Sequence, residues 1–146
     1  MGRILGRVIV PGSVIALSGD LGAGKTVFVQ GVARGAGVGG IVNSPSYVLM
    51  NIYRGKAELY HFDFYRLEEE SELFELGLEE YFYGEGITLA EWADKFPALL
   101  PPDRLEVVIE KDLGNPDFQR QLSFKPLGGF PVYLLEELER YADVGP

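Results

Sequence analysis

Cysteine is absent from this sequence, which excludes a disulfide framework, a zinc–thiolate site and a thiol nucleophile and agrees with a reducing compartment. Basic residues are scarce: 13 Lys and Arg stand against 22 Asp and Glu, for a net charge of −9. A protein that grips nucleic acid by itself needs a basic face to neutralise phosphates, so any RNA is expected to be held by a partner. Long apolar runs are missing too, and no stretch is long enough to span a membrane. Near the start Arg3 and Arg7 precede Val8, Ile9 and Val10, but Pro11 ends that run short of a signal-peptide core. Gly6 stands where an N-myristoylation pattern requires Ser or Thr. These absences predict a cytoplasmic protein without membrane contact. No repeat or low-complexity linker breaks the chain, and 146 residues with 47% hydrophobic content suit one ordinary core. A single domain over 1–146 is expected.

What the chain does contain is the string GDLGAGKT, Gly19 to Thr26, directly after the apolar run Val14, Ile15, Ala16 and Leu17. Its spacing is G-x-x-x-x-G-K-[ST]. Glycines allow the backbone to curl round an anion with successive N–H groups turned inward. On this reading Gly19, Asp20, Leu21, Gly22, Ala23 and Gly24 form a phosphate cradle. Lys25 brings charge to β and γ phosphates, and the Thr26 hydroxyl is placed to ligate Mg²⁺. A helix starting here adds its orphan N–H groups and the positive end of its dipole. Chance produces such a string in a chain of this composition at roughly the percent level. The β-branched run before it, and Phe28 and Val32 at i, i+4 after it, strengthen the phosphate reading.

Strand and helix signals alternate along the chain. Val14 to Ser18 reads as a buried strand and Lys25 to about Arg34 as a helix with Gly35 as its stop. Gly35 to Gly40 reads as a flexible stretch. Tyr47 to Tyr53 and Ala57 to Phe64 read as two strands of a hairpin, joined by Arg54, Gly55 and Lys56. Glu69 to Leu76 is expected to be helical, with Gly77 ending it. Ile87 to Ala90 and Leu105 to Ile109 have the length of covered parallel strands. At the C-terminal end Pro131 suits a first helical turn, and Leu134, Leu135, Leu138 and Tyr141 form a helical stripe expected to face the core. The predicted fold is α/β and P-loop NTPase-like: a mostly parallel sheet with an antiparallel hairpin and flanking helices.

A nucleotide site also needs hard oxygen ligands for Mg²⁺ and a group that orients water. Asp63 and Glu91 each follow a strand-like run, and ligands of open α/β sheets collect at the carboxyl ends of strands. Either acid alone reads equally as a solvated strand terminus. Ser44, Pro45, Ser46 and Tyr47 form a hydroxyl-rich turn that could switch over a γ-phosphate. His61, the sole histidine, reads more readily as a hydrogen-bonded structural residue than as a site residue. Trp92, the sole tryptophan, reads equally as a core anchor or as a contact near the nucleotide.

Taken together, SGDLGAGKT, NSPSYVLMNIY, YHFDFYRL, ELGLEEYF and ITLAEW occur in an order and spacing that resembles the TsaE (YjeE) family of P-loop ATPases, over about residues 11–110. The resemblance implies an ATPase required for threonylcarbamoyladenosine modification of tRNA. It further implies TsaD-like and TsaB-like partners, contact with tRNA only through that complex, and ATP hydrolysis that resets the complex between turnovers. By matching motifs, Lys25 would hold phosphate, Thr26, Asp63 and Glu91 would serve Mg²⁺ and water, and Ser46 and Trp92 would be functional neighbours. Lys25, Asp63 and Glu91 are then the catalytic candidates. Residues 19–27, Ser46 and Trp92 are the nucleotide-binding ones, and Thr26, Asp63 and Glu91 the metal ligands.

Three departures from the family pattern stand out. Val27 replaces a second Thr, Ser46 stands where Thr is common, and the helix before Pro11 is expected to be short or absent. A P-loop small-molecule kinase is the first alternative, although no basic cluster suggests a lid over an acceptor. A non-catalytic interaction module is the second, and intact Lys25, Thr26, Asp63 and Glu91 argue against it.

Overall fold

The structure is a computed structural model, and it describes residues 1–19, 24–40, 42, 50–75, 77–111 and 120–142. A mixed sheet of six strands runs in the order β2-β3-β4-β1-β5-β6. Its strands are β1 (Val14–Ser18), β2 (Met50–Arg54), β3 (Glu58–Asp63), β4 (Ile87–Glu91), β5 (Arg104–Lys111) and β6 (Arg120–Leu127). The four inner strands are parallel, and β2 and β6 close the two edges antiparallel. The fold is therefore the mostly parallel α/β arrangement that the strand and helix signals predict. The hairpin forms as expected, although Tyr47 to Leu49 lie outside the described residues.

Helices α1 (Gly2–Val8), α2 (Lys25–Gly35) and α5 (Val132–Ala142) pack on one face of the sheet. There Val29, Val32 and Ala33 of α2 share one core with Ile15 and Leu17 of β1, Leu89 of β4 and Leu134 and Leu138 of α5. On the other face α3 (Glu70–Glu75), α4 (Leu78–Phe82) and two 3-10 turns cover Val14, Ala16, Phe62 and Ala90. Alternation along β1 explains the split: Val14 and Ala16 point one way, Ile15 and Leu17 the other.

The glycine at position 35 is the last residue of α2, where the sequence pattern places the stop, and Gly37, at φ 86, makes the turn that follows. A Cβ on Gly35 would lie 2.0 Å from the Arg3 carbonyl oxygen, and one on Gly6 would lie 2.1 Å from that of Val32. The two glycines let α1 and α2 cross backbone against backbone. The expected N-terminal helix is thus present but only seven residues long.

The stretch after Gly35, expected to be flexible, is tied down. Ala36 and Val38 are buried, the Val38 amide donates to Ala33 O at 2.9 Å, and Lys56 N donates to Ala36 O at 2.7 Å. Buried apolar anchors and hairpin contacts override the loop-like composition. Helix α3 ends at Glu75, and Gly77, at φ 67, is the N-cap of α4, a helix the sequence pattern does not predict. Strand β6 is unpredicted too. Among the described residues, no helix is long and apolar enough to cross a membrane.

Candidate nucleotide site

Strand β1 delivers Gly19 to the carboxyl edge of the sheet, and Gly24, at φ 104, opens helix α2. Lys25 is therefore the first helical residue, and it is buried. Its Nζ donates to the Gly19 carbonyl at 2.6 Å and lies 4.0 Å from the centroid of the Trp92 ring. A cation held over an indole face is attracted by the ring quadrupole. The neighbouring Val27 is largely exposed, so its side chain makes little contact with the core.

Glu91 ends β4, the strand paired directly with β1. Its carboxylate is buried, and burying a charge requires partners. Two are in place: Thr26 Oγ1 donates to Oε1 at 3.3 Å, and His61 Nε2 lies 2.5 Å from Oε2. Asp63 ends β3 and stands in register with Glu91 across the parallel pair. Strand parity puts Leu59, His61 and Asp63 on the α2 face with Glu91. Asp63 is half-buried, and its Oδ1 accepts from the Tyr65 backbone N–H at 3.0 Å.

Directly after Glu91 the chain turns through Trp92 at φ 59, ψ 33. Among the described residues it is the sole non-glycine with positive φ. Such a conformation costs on the order of 1–3 kcal/mol and persists only where its surroundings fix it. Here Phe64 N donates to Glu91 O at 3.0 Å, and the Tyr65 ring packs 4.9 Å from the indole. The turn leaves the indole partly buried against the core of the sheet's other face, with Lys25 Nζ over its ring.

The structure thus gathers Lys25, Thr26, Glu91 and Trp92, with Asp63 beside Glu91. Asp20, Leu21, Gly22, Ala23 and Ser46 lie outside the described residues. Among the described residues no group of three or more His, Asp or Glu is arranged to hold a metal unaided. The donors that do meet here, a hydroxyl and one or two carboxylates, are the hard oxygens Mg²⁺ takes when a substrate phosphate completes its shell. The residues fit that ion. Sequence reading misses two contributors. Tyr65 supports both Asp63 and Trp92, and His61 is joined to Glu91; the H-x-D spacing, which puts His61 and Asp63 on one strand face, is the available signal.

Comparison with known proteins bears on the family and the fold. A family profile described as threonylcarbamoyl adenosine biosynthesis protein TsaE matches residues 1–122. The tRNA threonylcarbamoyladenosine biosynthesis protein TsaE of Bacillus subtilis is 45% identical over 135 residues, covering 92% of this chain and 82% of its own length. Its counterpart from Treponema pallidum is 41% identical over 100 residues, covering 68% of this chain and 74% of its own. The crystal structure of Bacillus subtilis YdiB superposes with a TM-score of 0.80 at 37% identity, over 97% of this chain and 86% of that one.

Proposed function

Since the chain belongs to the TsaE family, and so to tRNA threonylcarbamoyladenosine biosynthesis, we propose that it is the component of that pathway that binds ATP and hydrolyses it with Mg²⁺. The observation that carries this reading is the Thr26 to Glu91 hydrogen bond at the mouth of α2, beside a buried Lys25. It joins the helix that follows the cradle to the acid at the end of the adjacent strand.

Lys25 leaves the Gly19 carbonyl for the β and γ phosphates, an exchange of a neutral acceptor for charged ones. Thr26 and Glu91 would supply protein oxygens to Mg²⁺. When bound, the ion neutralises charge that develops on the phosphates. Asp63, one strand farther from β1 and partly reached by solvent, orients the attacking water. Trp92 closes the side of the site over Lys25. The expected switch around Ser46 would complete the γ-phosphate end.

No described side chain stands out as an arginine finger, and P-loop hydrolysis without one is slow. The site is therefore completed by docking on TsaD-like and TsaB-like proteins, which couples the nucleotide state to release of the modified tRNA. Steady-state ATP turnover, measured for the chain alone and against rising partner concentration, tests this. The expected result is a slow Mg²⁺-dependent rate that rises with partners, and a fall of at least about a hundredfold in Glu91→Gln. No Mg²⁺-dependent turnover in any mixture would overturn the reading, and a rate indifferent to partners would overturn its second half.

A further inference from the structure

His61 is fully buried, and among the described residues its Nδ1 has no hydrogen-bond partner. An imidazole retained for packing and structure alone would be expected to satisfy both nitrogens, because a buried acceptor left without a partner is destabilising. This ring is instead anchored at one end, by Nε2 against Glu91 Oε2 at 2.5 Å. The ring also reaches along the sheet to do so, since its register partner on β4 is Leu89 and not Glu91. The carboxylate is left with one oxygen fixed by His61 and the other turned to Thr26.

We infer that His61 is a positioning residue. Its Nε2–H fixes the rotation of the Glu91 carboxylate so that Oε1 faces Thr26 and the metal side of the cradle. The inference rests on the Mg²⁺-nucleotide reading of the site. Ligating groups are commonly oriented by such outer partners, whose removal costs about 10–100-fold in metal affinity. Asp63, two residues on and on the same strand face, accepts from the Tyr65 N–H. Loss of His61 is thus expected to act through Glu91.

The test uses calorimetry of ADP binding in Mg²⁺ and in EDTA, so that the metal-dependent gain in affinity is read without turnover. In His61→Leu the affinity in EDTA is expected to stay at the wild-type value while the Mg²⁺ gain falls at least about tenfold. In His61→Gln, whose amide nitrogen reaches the place of Nε2, most of the gain returns. In His61→Asn, whose amide stops short, it does not. Equal Mg²⁺ gains in Gln and Asn variants, or an unchanged gain in a folded Leu variant, would overturn the inference; the Gln and Asn pair decides it even where the Leu variant does not fold. A wild-type chain with no Mg²⁺ gain would instead defeat the nucleotide reading, and the inference with it. A metal-free check is available because the chain has one histidine. Its Nε2–H resonance in labelled protein is expected to exchange slowly with water, and rapid exchange would refute the positioning role alone.

Discussion

On the face of the sheet that carries α2, helices α1 and α2 meet with no side chain between them at Gly6 and Gly35. The opposite face is filled by short helices and by rings of Phe62, Phe64, Tyr81 and Phe82, and it retains a cavity of about 490 Å³ bordered by Leu73, Leu78, Phe82 and Leu99. The side chains of the proposed nucleotide site, Lys25, Thr26, Asp63 and Glu91, lie at the end of the first face. A phosphate cradle needs the N-terminus of its helix held in place relative to the strand ends, and a backbone-to-backbone crossing allows no rotamer to relax. The aromatic face supports the strands and reaches the candidate site through Phe64 and Trp92, while its packing near the cavity is looser.

That contrast is broken most severely at the helix crossing. Gly35→Ala adds one methyl group where the Arg3 carbonyl carbon and oxygen would lie 2.8 and 2.0 Å away. Backbone cannot change rotamer, so the helices must separate. A loss of about 3 kcal/mol or more is expected, read as a fall in melting temperature on the order of 10 °C for a chain this size. A melting curve within a degree of wild type would show that the crossing yields.

A smaller effect is expected from Leu73→Ala on the aromatic face. Leu73 is fully buried but borders the cavity, so its loss is placed near the lower end of the 2–5 kcal/mol range, at about 2 kcal/mol. Leu17→Ala, equally buried against α2 on the other face, is expected near 3 kcal/mol. Chemical denaturation of the pair measures the difference between the faces directly; equal losses would remove it.

The smallest effect sharpens the comparison furthest. Ala98 lines the cavity and is exposed. Ala98→Leu adds three carbons where Gly35→Ala adds one, yet its stability is expected to stay within about 0.5 kcal/mol of wild type. Denaturant midpoints of the two variants, read side by side, check whether added volume is refused on one face and accepted on the other.

Most of the framework is legible in the sequence. The β-branched run before the motif and the periods of 2 and 3.6 around it are enough for β1, α2, the hairpin and the C-terminal helix. Strand β6 is hidden because Pro126 interrupts an otherwise alternating run from Gln121 to Lys125. Helix α4, at five residues, is too short to display a helical period. Gly35 is legible as a glycine but not as a contact, since a close approach involves a partner distant in sequence. The same limit applies to His61. Its apolar neighbours along the strand suggest a structural residue, whereas the hydrogen bond to Glu91 arises from sheet order, which local pattern does not encode.

Pro126 has a consequence for assembly. A strand at the end of a sheet offers its outer backbone groups to any passing chain, and proline is tolerated in a ladder only where its missing N–H faces away from the partner strand. In β6, Pro126 pairs inward with Leu105, and Lys125 beside it is exposed. The outer edge thus lacks a donor and carries a charge that would have to be desolvated by an added strand. The residue that obscures β6 in the sequence is also the one that discourages this sheet from growing into a second molecule.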